Sequence, residues 1–216
     1  MRNQSDESVH ERETSQPAFW NERYAEYEEL FGTKPNAWVA EQAPDLAPGA
    51  TVLDVAAGEG RNALYLAQRG HPVTAVDFAE KGLRKLERQA EKQELDISCE
   101  PVDVLSWQPE RQWDVIVVTF LQLLPEERPA LFERLLRWLS PGGTFLGIFF
   151  RPDHLAEVYA DVGPPVGDRM IPTEELRGYF PSTGSLICRP EDRTLQEGKI
   201  TGRCAVSVIR YDAHST

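Results

Sequence analysis

Between residues 51 and 150 short apolar runs alternate with amphipathic stretches. TVLDVA (51–56), HPVTAVDF (71–78), DISCEPVDV (96–104), WDVIVVTF (113–120) and GTFLGIFF (143–150) are rich in β-branched and aromatic residues and too short for helices, so they predict five strands. Three stretches between them keep helical spacing. RNALYLAQRG (61–70) sets Leu64, Leu66 and Ala67 before a closing Gly70, and AEKGLRKLERQAEKQ (79–93) sets Leu83 and Leu86 on one side. PEERPALFERLLRWLSPGG (125–143) carries a Leu131, Leu135 and Trp138 stripe, widened by Phe132 and Leu136, with a stop at SPGG. Strands separated by helices predict an α/β fold, a mostly parallel sheet covered by helices on both faces.

The two ends of the chain depart from that pattern. Near the start, FWNERYAEYEELFG (19–32) predicts a helix whose Phe19, Trp20, Tyr24, Tyr27 and Phe31 serve either core packing or a lid over a ligand. KPNAWVAEQAPDL (34–46) predicts a second, proline-bounded helix. Near the end, residues 151–172 are irregular, TEELRGYF (173–180) reads as a short helix capped by Thr173, and STGSLICRP (182–190) and GRCAVSVIR (202–210) are strands with no room for a helix between them. They should pair antiparallel at one end of the sheet.

Composition narrows the function. Thirty-five acidic residues against 23 basic ones leave a formal charge of -12, which repels nucleic acid and anionic membrane unless a basic patch intervenes. Arg84, Lys85 and Arg88 are interleaved with Glu80, Glu87 and Glu91, the pattern of a solvated helix face. No nucleic acid and no membrane are therefore expected as partners. Cys99, Cys188 and Cys204 are too scattered for a disulfide framework or a metal site, and His10, His71, His154 and His214 form no ligand pair, so no metal is expected. Residues 1–16 read as a disordered or extended tail without the apolar stretch of a signal peptide, and 17–216 as one domain of a cytoplasmic protein, monomer or homodimer.

The candidate chemistry lies in GEGRNA (58–63), which follows the first strand and opens a helix. It meets the glycine pattern of dinucleotide enzymes, and Asp77 stands 19 residues beyond Gly58 at the tip of the second strand. Glycines that admit a ligand and a carboxylate for ribose hydroxyls serve any nucleoside, so a nicotinamide-dependent oxidoreductase remains open on these residues alone. Asp54, four residues before Gly58, has no use beside a pyrophosphate but suits the ammonium end of an amino-acid ligand. Asp103, after the third strand, can accept from an exocyclic adenine amine. As plain turn residues both have a structural reading as well.

VLDVAAGEGRN (52–62), VTAVDFAEKGL, PVDV before WDVIVV, and LSPGGTF, in this order, resemble the class I S-adenosylmethionine-dependent methyltransferases. FWNERYAEYEELFGTKPNAWV, GPPVGDRMIPTEELRGYF and EGK are similar to the small bacterial methyltransferases labelled tellurite-resistance or thiol-methyltransferase-like. This chain departs from that group at Ala57, at Gln122 and in EGKITG (197–202). The resemblance implies a Rossmann-like seven-stranded sheet whose last strand runs antiparallel between the fifth and sixth, and S-adenosyl-L-methionine as cofactor. It implies a helical lid over residues 17–47 and in-line methyl transfer to a small molecule such as a thiol, tellurite, selenite or another soft nucleophile. A protein that binds the same cofactor without catalysis is the alternative.

On the same resemblance Gly58, Gly60 and Ala56 border the methionine portion, Asp54 orients its ammonium and Asn62 reaches its carboxylate. Asp77 takes the ribose hydroxyls, Phe78, Asp103 and Val104 surround adenine, and Thr119 and Phe120 floor the sulfonium. Tyr24, Asn36, Gln122 and Arg151 are candidates to contact the methyl acceptor, and His154 and Tyr24 for a general base, should the nucleophile need one.

Overall fold

The structure, a computed structural model, describes residues 16–164 and 167–214. Residues 1–15 of the expected tail lie outside the described residues. Seven strands form one sheet: β1 (Val52–Val55), β2 (Val73–Asp77), β3 (Ile97–Pro101), β4 (Trp113–Thr119), β5 (Leu139–Phe150), β6 (Ser185–Glu197) and β7 (Ile200–Asp212). Their order is β3-β2-β1-β4-β5-β7-β6, and β7 runs antiparallel to both β5 and β6 while the other pairs are parallel. This is the Rossmann-like arrangement expected, with the order reversing between β1 and β4.

Helices cover both faces because the central strands are apolar on both. Along β4, Ile116 and Val118 face one cluster and Val115 and Val117 the other. On the first face lie α5 (Arg128–Trp138), through Leu131, Phe132 and Leu135, and α6 (Thr173–Gly178), through Leu176. On the second lie α2 (Ala37–Gln42), α3 (Arg61–Ala67) and α4 (Glu80–Gln93), through Val39, Leu66, Leu83 and Leu86.

Several boundaries differ from the periodic reading, each for a tertiary reason. The first helix, α1, spans only Pro17–Glu26, because Tyr27 is extended and Leu30 is drawn into bonds with the Glu59 carboxylate and the Gly198 amide. The helix expected from Pro125 begins at Arg128, and the SPGG stop falls inside β5, where Leu139 pairs with Trp113 before a register break ahead of Val115. The closing strands are far longer than expected. The polar run RPEDRTLQE is half of a hairpin turning at Gly198, and β6 is an edge strand whose Arg189 and Asp192 are exposed while Glu197 at its end is buried. Thr173 caps nothing; it lies inside α6 and its hydroxyl meets that of Ser207.

One buried cation ties the loop after β4 to the C-terminal third. Arg128, 3% exposed, donates through Nη1 to both oxygens of Glu175, through Nε and Nη2 to Leu123 O, and through Nη2 to Met170 O and Asp168 O. Removing it strands three carbonyls and a partly exposed carboxylate. Arg128→Met should therefore lower unfolding free energy by about 3 kcal/mol in urea titrations. The double variant with Glu175→Leu should recover part of that loss.

Candidate functional site

A cleft of about 890 Å³, counted out to its open mouth, lies above the carboxyl ends of β1, β2 and β4. Its floor is the turn after β1. Ala56 (φ 56°), Gly58 (φ 57°) and Gly60 (φ 78°) all take left-handed backbone there. The turn is held by Ala57 N donating to Val76 O (3.1 Å) and Gly60 N to Ala57 O (2.9 Å). A Cβ on Gly58 would lie 2.5 Å from the Tyr24 hydroxyl, and one on Gly60 2.3 Å from a Leu86 methyl, so both positions exclude larger residues by space as well as by φ.

Asp77 closes the turn against β2. Its Oδ2 accepts from Gly58 N at 2.8 Å and its Oδ1 from Ala79 N at 2.7 Å. Burial pushes its pKa up to about 6, against the opposing pull of the Ala79, Gly58 and Phe78 amides. Its carboxylate is thus fixed in place at the cleft wall.

Asp54 behaves differently. It projects on the same face of the sheet as Val52, is 0% exposed, and neither carboxylate oxygen has a hydrogen-bond partner. Burial raises its pKa to about 7; the Asp77 carboxylate adds to this, while the Ala63 amide and Arg61 oppose it, the amide without reaching full hydrogen-bond geometry. Asp54 lies beneath the turn and not in the cleft wall.

The wall above is assembled from distant segments. Tyr24 of α1 presses on the turn; burial, then Asp77 and Glu59, raise its pKa well above the usual phenol value. Phe31 and Gly32 follow, where Arg61 Nη1 donates to Phe31 O at 2.9 Å with its guanidinium over the Phe31 ring. At the end of β4, Thr119 Oγ1 accepts from Asn62 Nδ2 (3.1 Å), and Phe120 turns through φ 58° to rest 4.9 Å from the Phe150 ring. Leu195 and Glu197 of the hairpin complete the rim; Glu197 pairs with Arg23 at 2.7 Å and accepts from Gly163 N at 2.7 Å. Glu59, at the floor, pairs with Lys85 at 2.6 Å.

An adjoining cavity of about 440 Å³ opens between β2 and β4, lined by Phe78, Val102, Asp103, Val104 and Leu105. Asp103 also closes its own turn, accepting from Leu105 N at 2.9 Å. Ala56, Asp77, Phe78, Leu121 and Gln122 border both spaces, so the two form one elongated site.

Of the residues expected at a nucleoside site, Ala56, Gly58, Asn62, Asp77, Phe78, Thr119 and Phe120 meet in the main cleft, and Asp103 and Val104 in the adjoining cavity. Gly60 lies behind the turn against Leu86. Asn36 does not line the cleft: its Oδ1 accepts from Trp38 N at the start of α2, and its backbone N–H donates to Asn62 Oδ1 at 2.8 Å. Arg151 lies outside as well, paired with Asp153 and Asp192. His154 is buried with both ring nitrogens engaged, Nε2 with Val162 O (2.8 Å) and Nδ1 accepting from Ala205 N (3.3 Å), which leaves neither for a reacting proton. Glu59, Leu121, Phe150, Gly163, Leu195 and Glu197 line the cleft without having been singled out. Only EGK, quoted for its likeness, hinted at Glu197.

Among the described residues no helix is long and apolar enough to cross a membrane, and no three His, Cys, Asp or Glu side chains converge as metal ligands.

Residues 52–143 match the family model of a methyltransferase domain. The chain is 32% identical over 127 residues to the "Probable S-adenosyl-L-methionine-dependent methyltransferase TehB" of Haemophilus influenzae, an alignment covering 56% of this chain and 44% of the relative. A ubiquinone biosynthesis O-methyltransferase of Idiomarina loihiensis is 32% identical over 105 residues, 47% of this chain and 42% of its own length. The chain thus matches less than half the length of these curated relatives. The crystal structure of Haemophilus influenzae TehB superposes with a TM-score of 0.68 at 21% identity, covering 91% of this chain and 66% of that one. The 1,6-didemethyltoxoflavin-N1-methyltransferase of Burkholderia thailandensis, solved with bound S-adenosylhomocysteine, gives 0.60 at 19% identity, covering 82% and 76%. The glycine turn and the strands that carry the cleft therefore lie within the stretch, residues 52–143, that matches a methyltransferase domain, on a fold shared with methyltransferases of known structure.

Proposed function

We propose that this protein transfers the methyl group of S-adenosylmethionine to a small soft nucleophile by in-line displacement. The observation that carries the reading is the pairing of a fixed rim carboxylate, Asp77, with an orphaned carboxyl, Asp54, beneath a left-handed glycine turn. That set fits a ligand with a ribose at one end and an ammonium near the turn, and gives no site for a pyrophosphate. When bound, S-adenosylmethionine supplies a methyl group on a sulfonium, and the acceptor's lone pair forms the new bond to carbon as the carbon–sulfonium bond breaks and S-adenosylhomocysteine departs.

The chain's own residues bind, align and exclude water. Asp77 accepts from the ribose hydroxyls with the lone pairs its two amide contacts leave free. Phe78 and Val104 enclose the adenine, Asp103 meets its amine, and Thr119 and Phe120 form the wall beside the sulfonium. Asn62 braces the lid segment against β4 and keeps that wall still. The joined cleft and cavity suit a nucleoside with a small partner beside it.

No side chain among the described lining residues is positioned as a general base. Tyr24 holds its proton tightly, Asp77 is held by two amides at the ribose end of the site, and Glu59 and Glu197 are ion-paired. A nucleophile that needs no base, such as a thiolate, suits such a cleft; alignment and water exclusion supply the acceleration.

Calorimetry with S-adenosylhomocysteine and NAD tests the donor. The homocysteine compound should bind in the micromolar range and NAD should not; the reverse would sink the reading. Asp77→Ala should weaken S-adenosylhomocysteine by about 1–3 kcal/mol through lost charged hydrogen bonds.

Asp54 predicts a pH dependence. Its folded pKa of about 7 lies above the ordinary carboxylate value, so the penalty of ionising it is fully present above pH 7 and vanishes as pH falls toward 4. Asp54→Asn should raise the stability of the ligand-free protein at pH 8 by up to about 4 kcal/mol, with the gain fading near pH 4. A cation arriving above the turn favours the carboxylate, so S-adenosylhomocysteine affinity should fall as pH drops from 8 to 6 and lose part of that dependence in Asp54→Asn. Thermal melts and calorimetry across that range read both effects.

A further inference from the structure

The far half of the cleft, beyond the nucleoside, is apolar and aromatic. Phe31, Phe120, Phe150 and Leu195 form its walls, and the hairpin's Glu197 is already neutralised by Arg23. Arg61, the one cation among the described lining residues, stands at the start of α3 with its guanidinium over the Phe31 ring and Nη1 donating to Phe31 O. Apart from Arg61, which is already engaged at Phe31, no cation among the described lining residues stands ready to hold a carboxylate, sulfonate or inorganic oxyanion.

One polar atom is left over. Gln122 Oε1 is buried without a hydrogen-bond partner, in a side chain that borders both the main cleft and the nucleoside cavity. An unmet buried acceptor of this kind costs about 1–3 kcal/mol. The loop that carries it is held firmly: Phe120 takes left-handed backbone, Leu124 N donates to Glu127 Oε2 at 2.8 Å, and Arg128 grips Leu123 O. The chain therefore keeps an unsatisfied carbonyl oxygen at the junction of the two spaces instead of letting it swing into solvent. The adenine amine has its own carboxylate in Asp103, on the β3 side of the nucleoside cavity, which leaves Gln122 for whatever occupies the far half.

Resting on the methyl-donor reading above, we propose that Gln122 determines acceptor specificity. Its Oε1 accepts a hydrogen bond from a small acceptor with an apolar or aromatic body, a hydroxyl or N–H donor, and no charge beyond that of the reacting atom. For a thiol the proton is lost to solvent, the thiolate lone pair forms the S–CH3 bond, and the departing electron pair stays on the sulfur of S-adenosylhomocysteine.

Three aryl thiols of matched size test this: thiophenol, 3-hydroxythiophenol and 3-mercaptobenzoate, each assayed for methyl transfer from S-adenosylmethionine with kcat and KM measured separately. The wild-type protein should prefer the hydroxyl compound over thiophenol by about 10-fold in kcat/KM, and both over the carboxylate. In Gln122→Leu the hydroxyl preference should collapse toward unity, and Gln122→Asn, one methylene shorter, should retain part of it. That ratio compares two substrates on one protein, so a general loss of folded enzyme does not move it. Preference for 3-mercaptobenzoate, an unchanged ratio in Gln122→Leu, or a loss of S-adenosylhomocysteine affinity that accounts for the whole defect would each overturn the proposal. Binding of S-adenosylhomocysteine with no turnover of any of the three thiols overturns it too and leaves the donor reading standing. Failure to bind S-adenosylhomocysteine removes the donor reading and this proposal together.

Discussion

A carboxylate buried at the end of β2 must find donors, and the two it finds organise the site. Asp77 binds the amide of Gly58 on one oxygen and that of Ala79 on the other, joining the turn after β1 to the start of α4. Without those bonds the group would be an uncompensated acid in a low-dielectric wall. With them, the turn's left-handed residues are fixed, α3 starts from Gly60, and a carboxylate already oriented by the fold faces the cleft. Strain at Ala56 and Phe120, both non-glycine residues with positive φ, lies at this same edge and is sustained by the surrounding sheet.

The rest of the cleft is made by bringing the chain's two ends over that edge. α1 and the segment after it are fastened to α4 and to the turn. Lys85 bonds Tyr27 O, Glu28 O and the Glu59 carboxylate, while Asn21 accepts from Lys81 N. The same segment meets the β6–β7 hairpin through Arg23 with Glu197 and through Gly198 N with Leu30 O. These polar contacts are partly buried and cover an aromatic interior, the combination that sequesters a reacting centre from water.

How much of this could be read beforehand depended on how local each cause is. The five parallel strands, the helices 61–70 and 79–93 and the glycine turn follow from periodicities and residue types within about fifteen positions, and the structure returns them with small shifts. The long polar strand β6 was only half visible, because an edge strand needs no apolar alternation when its partner supplies the hydrogen bonds. His154 and Arg151 looked chemically available as isolated residues; the backbone groups of Val162 and Ala205 and the carboxylates of Asp153 and Asp192, all brought in by the fold, absorb them. Glu197 and Leu195 carried little signal, since they reach the cleft only when a hairpin about 140 residues beyond the turn folds back to it.

The sequence by itself determined the layered α/β architecture, the position of the turn and the aspartates around it, because those follow from hydrophobic period and from backbone that only glycine readily adopts. Tertiary structure alone decided that Asp54 lies outside the cleft wall and Asp77 in it, that His154 and Arg151 are held by partners away from the cleft, and that Gln122 keeps an unmet oxygen in a side chain bordering both cavities. Burial and hydrogen-bond partners are properties of neighbours in space, and here those neighbours come from α1, β4 and a C-terminal hairpin that no local pattern connects.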